Sequence, residues 1–391
     1  MKPELQLLIK CCKTTLSKND ITFIRSQLTA NNLPRLTTAR QLAYVHGVFP
    51  LFCQSLENYA SDLIPKEIMS ELKQEYLIIA RRNMLMSAEL LRIMKLLADN
   101  SIVALAFKGP ALAQLVYGDI TLRQYADLDI LVKKTDVYRV DSLLKARGYK
   151  RSLKLTPSQE ELWISCAHDL GLYHPDNGVH LEMHWSLMNE NHPVQLELSA
   201  IWCNPETVTI NQQGINTFSR EDLLVYLCVH GSKHLWERIE WIKDIHLLSQ
   251  SPELDWNKVL RTVDGKDFEV MFYLGLQLAD LLFAADFPVI IKKRLDSNKK
   301  LPAIAGVILQ EWQEQDSSGL IKELRKTRIR LKLIPGVKKQ LLYLYQIILK
   351  PSFNEYWLID LPKSFYWLYY FIRPCLLLRK YFKSWWRAQR R

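Results

Sequence analysis

The feature that most limits what this chain can fold into is a change of pattern at Asn100. Between Pro65 and Asn100 there is no glycine and no internal proline, and apolar residues recur at helical spacing, as in Ile68, Leu72, Tyr76 and Ile79. One long helix is expected there. Met84, Met86, Leu90, Leu91, Ile93, Met94 and Leu97 read as its core face. Beyond Asn100 the apolar residues come in short unbroken runs broken by turn residues, which is how buried strands read.

Ile102–Phe107 is the first such run, and Lys108-Gly109-Pro110 turns the chain into a helix over 111–117. Leu128–Val132 is apolar and β-branched, with acids at Asp127 and Asp129. Thr135-Asp136 caps a helix that stops near Arg147-Gly148. Leu170–His174 and Val179–Trp185 flank Pro175-Asp176-Asn177-Gly178, a hairpin signal. The order strand, helix, strand, helix, hairpin describes a small α/β domain over 101–215. Leu5, Leu8 and Ile9 extend the helical reading to the start of the chain, so 1–100 is an N-terminal helical region. Ser219 caps a second helical region, 216–350, with breaks expected near Pro252, Pro288, Pro302 and Pro335.

The 391 residues suit two or three modules, and ordinary apolar and charged fractions of 48% and 24% exclude wholesale disorder. The net charge of +11 is uneven: residues 321–391 hold 17 Lys/Arg against 3 Asp/Glu, and the rest of the chain is slightly acidic. The segment 351–391 carries 13 of the 41 aromatics, interleaved with cations. Its longest uncharged stretch, Ser364–Ile372, is too short to cross a bilayer. Such a segment packs on the protein, lies on an anionic membrane surface, or holds nucleic acid by stacking and phosphate contacts. The seven scattered cysteines form no C-x-x-C pair, which argues against a disulfide framework or zinc knuckle. With no signal peptide legible in MKPELQLLIKCCKTTL, a cytoplasmic location is expected, with a peripheral membrane one as the variant.

The chemistry centres on Asp127-Leu128-Asp129. Residues i and i+2 share a strand face, and two adjacent carboxylates repel unless a cation lies between them. Oxygen ligands favour Mg²⁺ held together with substrate phosphates. In His180-Leu181-Glu182-Met183-His184-Trp185, Glu182 lies on the polar face with His180 and His184. Lys108-Gly109 opens a helix after a buried strand, where unpaired N–H groups and the helix dipole favour a phosphate. Lys108 or Arg123 then neutralises phosphate oxygens.

The run Phe107-Lys108-Gly109, Arg123, Asp127-Leu128-Asp129-Ile130-Leu131-Val132 and the Glu182 strand resembles the DNA polymerase β-type nucleotidyltransferase superfamily. It is closest to the bacterial branch called uncharacterised nucleotidyltransferase, which also carries a helical segment like His230-Gly231-Ser232-Lys233-His234-Leu235-Trp236. The resemblance covers about 75–270. It implies an α+β fold, in which a nucleotidyltransferase-type domain with a short mixed sheet is flanked by helical regions. It implies that Asp127, Asp129 and Glu182 are catalytic and hold two Mg²⁺ ions. By the same resemblance Lys108, Gly109, Arg123, Lys233 and His234 bind the NTP, and a nucleoside monophosphate passes to an acceptor hydroxyl by in-line displacement. The acceptor is left open among protein, RNA, small molecule and saccharide precursor. The turn departs from the family in having Pro110 where a serine is usual. Two alternatives stand beside this reading, a non-catalytic nucleotide- or partner-binding module and a D-x-D metal-dependent glycosyltransferase. Asp244 is read as orienting His234 or pairing with Lys243 or Arg238.

Overall fold

The computed structural model describes residues 1–28, 33–189, 192–196, 199–313, 319–359 and 361–388. Four helices, α1 (Pro3–Cys11), α2 (Lys18–Ser26), α3 (Leu33–Val45) and α4 (Phe49–Ala60), lead into α5 (Lys66–Asp99). The 34 residues of α5 are the long helix expected from the glycine-free run. Met69 and Leu72 near its start join a helical core, whereas Met86, Leu90, Leu91, Ile93 and Leu97 join the core beneath the sheet. One helix therefore belongs to both cores. Met84 is a correction to the expected core face: it is 57% exposed, because two residues of a helix before Met86 place it round the far side.

The sheet follows: β1 (Ala104–Ala106), α6 (Gly109–Tyr117), β2 (Asp127–Val132), α7 (Val137–Ala146), β3 (Lys150–Arg151), α8 (Pro157–Cys166), β4 (Asp169–Tyr173) and β5 (His180–His184). The strand order is β1-β2-β5-β4-β3. β2 runs parallel to β5, while the β1–β2, β4–β5 and β3–β4 pairs are antiparallel, so the sheet is mixed. The fold is α+β, as the sequence suggested. Leu128, Ile130, Val132, Leu181 and Met183 bury one face of β2 and β5, leaving Asp129 and Glu182 to the other. Asp136 stands before α7 but makes no side-chain cap bond; a single 3₁₀ turn at Lys134–Asp136 leads the chain in instead.

The short strand β3, the helix α8 and a second hairpin were not foreseen. α8 begins with a capping box in which Thr156 and Gln159 bond reciprocally. A separate hairpin, β6 (Glu206–Ile210) and β7 (Gln213–Thr217), turns through Asn211 and Gln212, both at positive φ.

The remaining helices are α9 (Arg220–Lys233), α10 (Ile239–Ser249), α11 (Trp256–Val263), α12 (Glu269–Phe283), α13 (Val289–Ser297), α14 (Lys300–Glu311), α15 (Leu320–Leu333), α16 (Val337–Ile348), α17 (Phe353–Leu358) and α18 (Tyr369–Ala388). Ser219 caps α9 as expected. The break expected near Pro302 falls at Asn298-Lys299, and Pro302 itself sits in the first turn of α14, where its missing N–H has no helical partner to lose. The aromatic segment docks partly on the protein: Gln159 of α8 donates to the Tyr356 carbonyl at 3.3 Å, and Arg373 bonds both the Ile347 carbonyl and Glu355. Residues 360 and 389–391 and the side chains of Trp385 and Trp386 lie outside the described residues. Among those described, no helix is long and apolar enough to cross a membrane.

Candidate active site

The site forms where β2 and β5 pair. Their register sets Asp127 opposite His180 and Asp129 opposite Glu182. Because β2 and β5 alternate in the same sense, the two sequence-distant acids arrive on one face. Asp129 is buried, and its Oδ1 accepts hydrogen bonds from Lys108 Nζ at 2.9 Å and His184 Nε2 at 3.1 Å. His184 Nε2 also lies 3.4 Å from Glu182 Oε2. The imidazole thus ties two carboxylates on neighbouring strands.

Burial opposes the charge on Asp129, but Lys108 and then His184 outweigh it and hold its carboxyl well below the usual range. The same balance raises Lys108, where burial is overcome by Asp129, and raises His184 through bonds to Asp129 and Glu182. The His184 bond keeps Glu182 low. Asp127 goes the other way: burial, then Asp129 and Glu182, push it up to about 6.

Lys108 is the N-cap of α6, and Gly109 opens the helix at φ +51. A Cβ at Gly109 would stand 3.2 Å from the Asp127 carbonyl oxygen. Glycine is therefore required twice, by the left-handed backbone and by the close approach of the turn to β2. The helix end and the carboxylates become neighbours.

A cavity of 230 Å³ opens beside them, lined by Lys108, His168, Asp169, Glu182, His184, Tyr226, His230, Lys233 and His234 among others. Two site residues expected from the sequence, Lys233 and His234, reach this cavity from the end of α9, and Lys233 Nζ lies 3.4 Å from His168. His168, Asp169 and Tyr226 were missed as cavity residues. Asp169 had one signal: it stands one residue before the first arm of the expected hairpin, and the structure takes it into β4 opposite His184. A larger cavity of 820 Å³ shares His168 and Asp169 with the first and is walled by Trp163, Tyr343, Tyr356 and Trp357.

Arg123 does not reach this face. It is buried, and its Nε and guanidinium nitrogens bond Asp244 at 2.9–3.1 Å, with Glu240 3.9 Å away. A phosphate would have to displace a buried carboxylate fork, so the expected phosphate role is corrected to a structural one. Asp244 bonds Arg123 and Tyr117 rather than His234 or Arg238, and its charge also bears on Lys243.

Asp129, Glu182 and His184 each offer a ligand atom within 4.8 Å of the others. Asp127, expected as a metal ligand, is not in that group, yet it crowds the same face with a carboxyl raised by two acids. A divalent cation relieves that crowding, and the oxygen donors suit a hard ion. Two of the three grouped donors, those of Asp129 and Glu182, are carboxylate oxygens of the kind that hold hard divalent cations.

A family model described as "Uncharacterised nucleotidyltransferase" matches residues 36–284. No curated protein matches the chain. Among solved structures, that of ANT(2")-Ia in complex with adenylyl-2"-tobramycin is similar at 12% identity over 49% of this chain and 97% of that one, with a TM-score of 0.33. An antigenic nucleotidyltransferase-like protein from Paracoccidioides brasiliensis is similar at 18% identity over 57% of this chain and 92% of that one, with a TM-score of 0.31.

Proposed function

The chain belongs to the uncharacterised nucleotidyltransferase family, and on that premise we propose that it moves a nucleoside monophosphate from an NTP to an acceptor hydroxyl, releasing pyrophosphate. The observation that carries this reading is the β2–β5 register, which places Glu182 beside Asp129 next to the opening of α6.

In this reading Gly109 and the N-terminus of α6 receive the β- and γ-phosphates, where unpaired N–H groups and the dipole favour negative charge. Pro110 has no N–H, so Lys108 carries more of that work as a cation already in the cavity. Asp127, Asp129 and Glu182 would hold Mg²⁺, two ions in the full arrangement, which when bound neutralise phosphate charge at the reacting centre. Glu182 Oε2, kept ionised by His184, accepts the proton of the attacking hydroxyl. Lys233 and His234 line the nucleotide from α9.

In-line displacement puts the attacking and leaving oxygens on opposite sides of phosphorus. The phosphates sit at the β1 and α6 end of the sheet, so the acceptor comes from the β4 side. There the 820 Å³ cavity meets the small one at His168 and Asp169. The division that goes with this places catalysis in 101–215 and nucleotide contacts in 216–350, with 1–100 as support and 351–391 as a wall of the acceptor side. A cytoplasmic location suits an NTP substrate.

The test is thermal unfolding with each NTP, with and without Mg²⁺, beside a transfer assay using α-labelled NTP. A nucleotide at about 100 times its Kd adds roughly 2.7 kcal/mol of stability. Asp129→Asn is expected to keep its fold and lose all Mg²⁺-dependent transfer. Full transfer by that variant would overturn the assignment. Mg²⁺-dependent NTP binding without transfer to any acceptor would leave a non-catalytic binding module.

A further inference from the structure

Half of the large exposed apolar side chains lie in one short part of the chain. Of the 30 in the described residues, 16 fall between Leu320 and Leu378. On α16 and its C-cap, Leu341, Leu342, Tyr345, Ile348 and Leu349 recur at helical spacing, and all are exposed. That is an amphipathic stripe facing away from the protein. On the following segment Trp367, Tyr370 and Phe371 are exposed, with the Trp367 and Phe371 rings 6.0 Å apart. The two sets adjoin, because α16 packs against α18.

The surface is built on fixed supports. Arg373 of α18 donates to the Ile347 carbonyl at 2.9 Å and to Glu355 at 2.9 Å, tying α18 to α16 and α17. Tyr369 is buried and bonds the backbone at Leu361. The exposed apolar residues are thus presented by helices held from behind.

We propose that this face, formed by α16 and the start of α18, docks on an anionic lipid surface. Charge decides between occupants. Residues 321–391 carry 17 Lys/Arg and 3 Asp/Glu, so a second copy would bring like charge against like charge. Nucleic acid would satisfy the cations and the aromatics but not the exposed aliphatic side chains Leu341, Ile348, Leu349 and Leu378. A bilayer interface takes all three: aliphatic groups in the acyl boundary, Trp and Tyr at headgroup depth, and Lys/Arg against anionic headgroups. The same segment walls the larger cavity through Tyr343, Lys350 and Trp357, so a docked protein opens that cavity close to the lipid surface. The docking itself does not depend on the proposed chemistry.

The full chain is mixed with phosphatidylcholine vesicles containing 30 mol% phosphatidylglycerol, or none, and sedimented. Binding is expected on the anionic vesicles only, falling steeply in 0.5 M NaCl. The triple variant Leu341→Glu, Ile348→Glu, Phe371→Glu is expected to stay in the supernatant, with the same thermal midpoint and the same response to Mg²⁺ and NTP as the parent. Arg328→Gln with Lys332→Gln, which leaves the apolar stripe intact, is expected to weaken vesicle binding on the order of tenfold. No sedimentation of the parent with anionic vesicles overturns the proposal, as does equal sedimentation of the triple variant. Concentration-dependent dimerisation without vesicle binding would overturn it in favour of a self-interface, and salt-sensitive binding of single-stranded DNA in its place would favour nucleic acid.

Discussion

Asp127 and Asp129 stand two residues apart on one strand and are held in opposite states. Asp129 has Lys108 and His184 on its Oδ1; Asp127 has burial and two acids against it. The consequence for stability has a definite sign. A carboxyl raised to about 6 in the folded protein, from 3.8 otherwise, binds its proton more tightly when folded. Its contribution to stability is present below about pH 4 and disappears as pH rises through 6. At neutral pH the ionised group works against the metal-free fold by about 1–2 kcal/mol, after discounting for its partial exposure to solvent. Asp127→Asn is therefore expected to be more stable than the parent in EDTA at pH 7.5, with the gap closing toward pH 4. Mg²⁺ should raise the midpoint of the parent and not of the variant. Thermal melts at the two pH values check this, and an equal gap at both would show that the raised carboxyl is not the cause.

At the scale of elements, what the sequence reveals is what is local. Alternation in His180–Trp185 separates Glu182 from Leu181 and Met183 without any knowledge of neighbours, and the glycine-free run foretells α5. The box Thr156…Gln159 was equally local and was available as a sign of α8. Register between strands is not local: nothing in β2 or β5 alone sets Asp129 opposite Glu182. Arg123 is the sharper case, since its partner Asp244 lies 121 residues away and only the packing of α10 against α6 unites them. The β6–β7 turn hid because Asn211-Gln212 lacks the glycine that usually marks two successive positive φ values. The link from α9 to α10 is similar. Leu235 and Trp236 both hold positive φ, a strained arrangement compensated by burial of the whole Trp236 ring on Gly231. A Cβ at Gly231 would fall 2.3 Å from that ring. Gly231→Ala is expected to cost about 1–3 kcal/mol in urea unfolding, the usual result of overpacking. It should also weaken NTP binding, because Lys233 and His234 ride on the same turn. A neutral effect on the urea midpoint would mean the ring can move aside.

Among the described residues there are two apolar cores, and the long helix α5 runs through both. α5 gives Met69 and Leu72 to the helical core and Leu90, Ile93 and Leu97 to the core under the sheet. A 34-residue helix is stiff, so loss of order in one core removes a packed face from the other. The two cores also adjoin along β1, α6 and β2, where Leu105, Leu112 and Leu131 belong to the helical core and Ala106, Ala111 and Ile130 to the core under the sheet. Unfolding should therefore be a single cooperative transition despite a length at which separate domains are common. Ile78 lies between the two groups of buried α5 residues and is 64% exposed. Ile78→Pro leaves both cores their side chains but removes a helical hydrogen bond and kinks the rod, at about 3 kcal/mol or more. Calorimetry should then resolve two transitions where the parent has one, and Mg²⁺ with NTP should raise only the transition that contains the β2–β5 site. A single transition merely displaced to lower temperature would mean that β1, α6 and β2, not α5, carry the coupling.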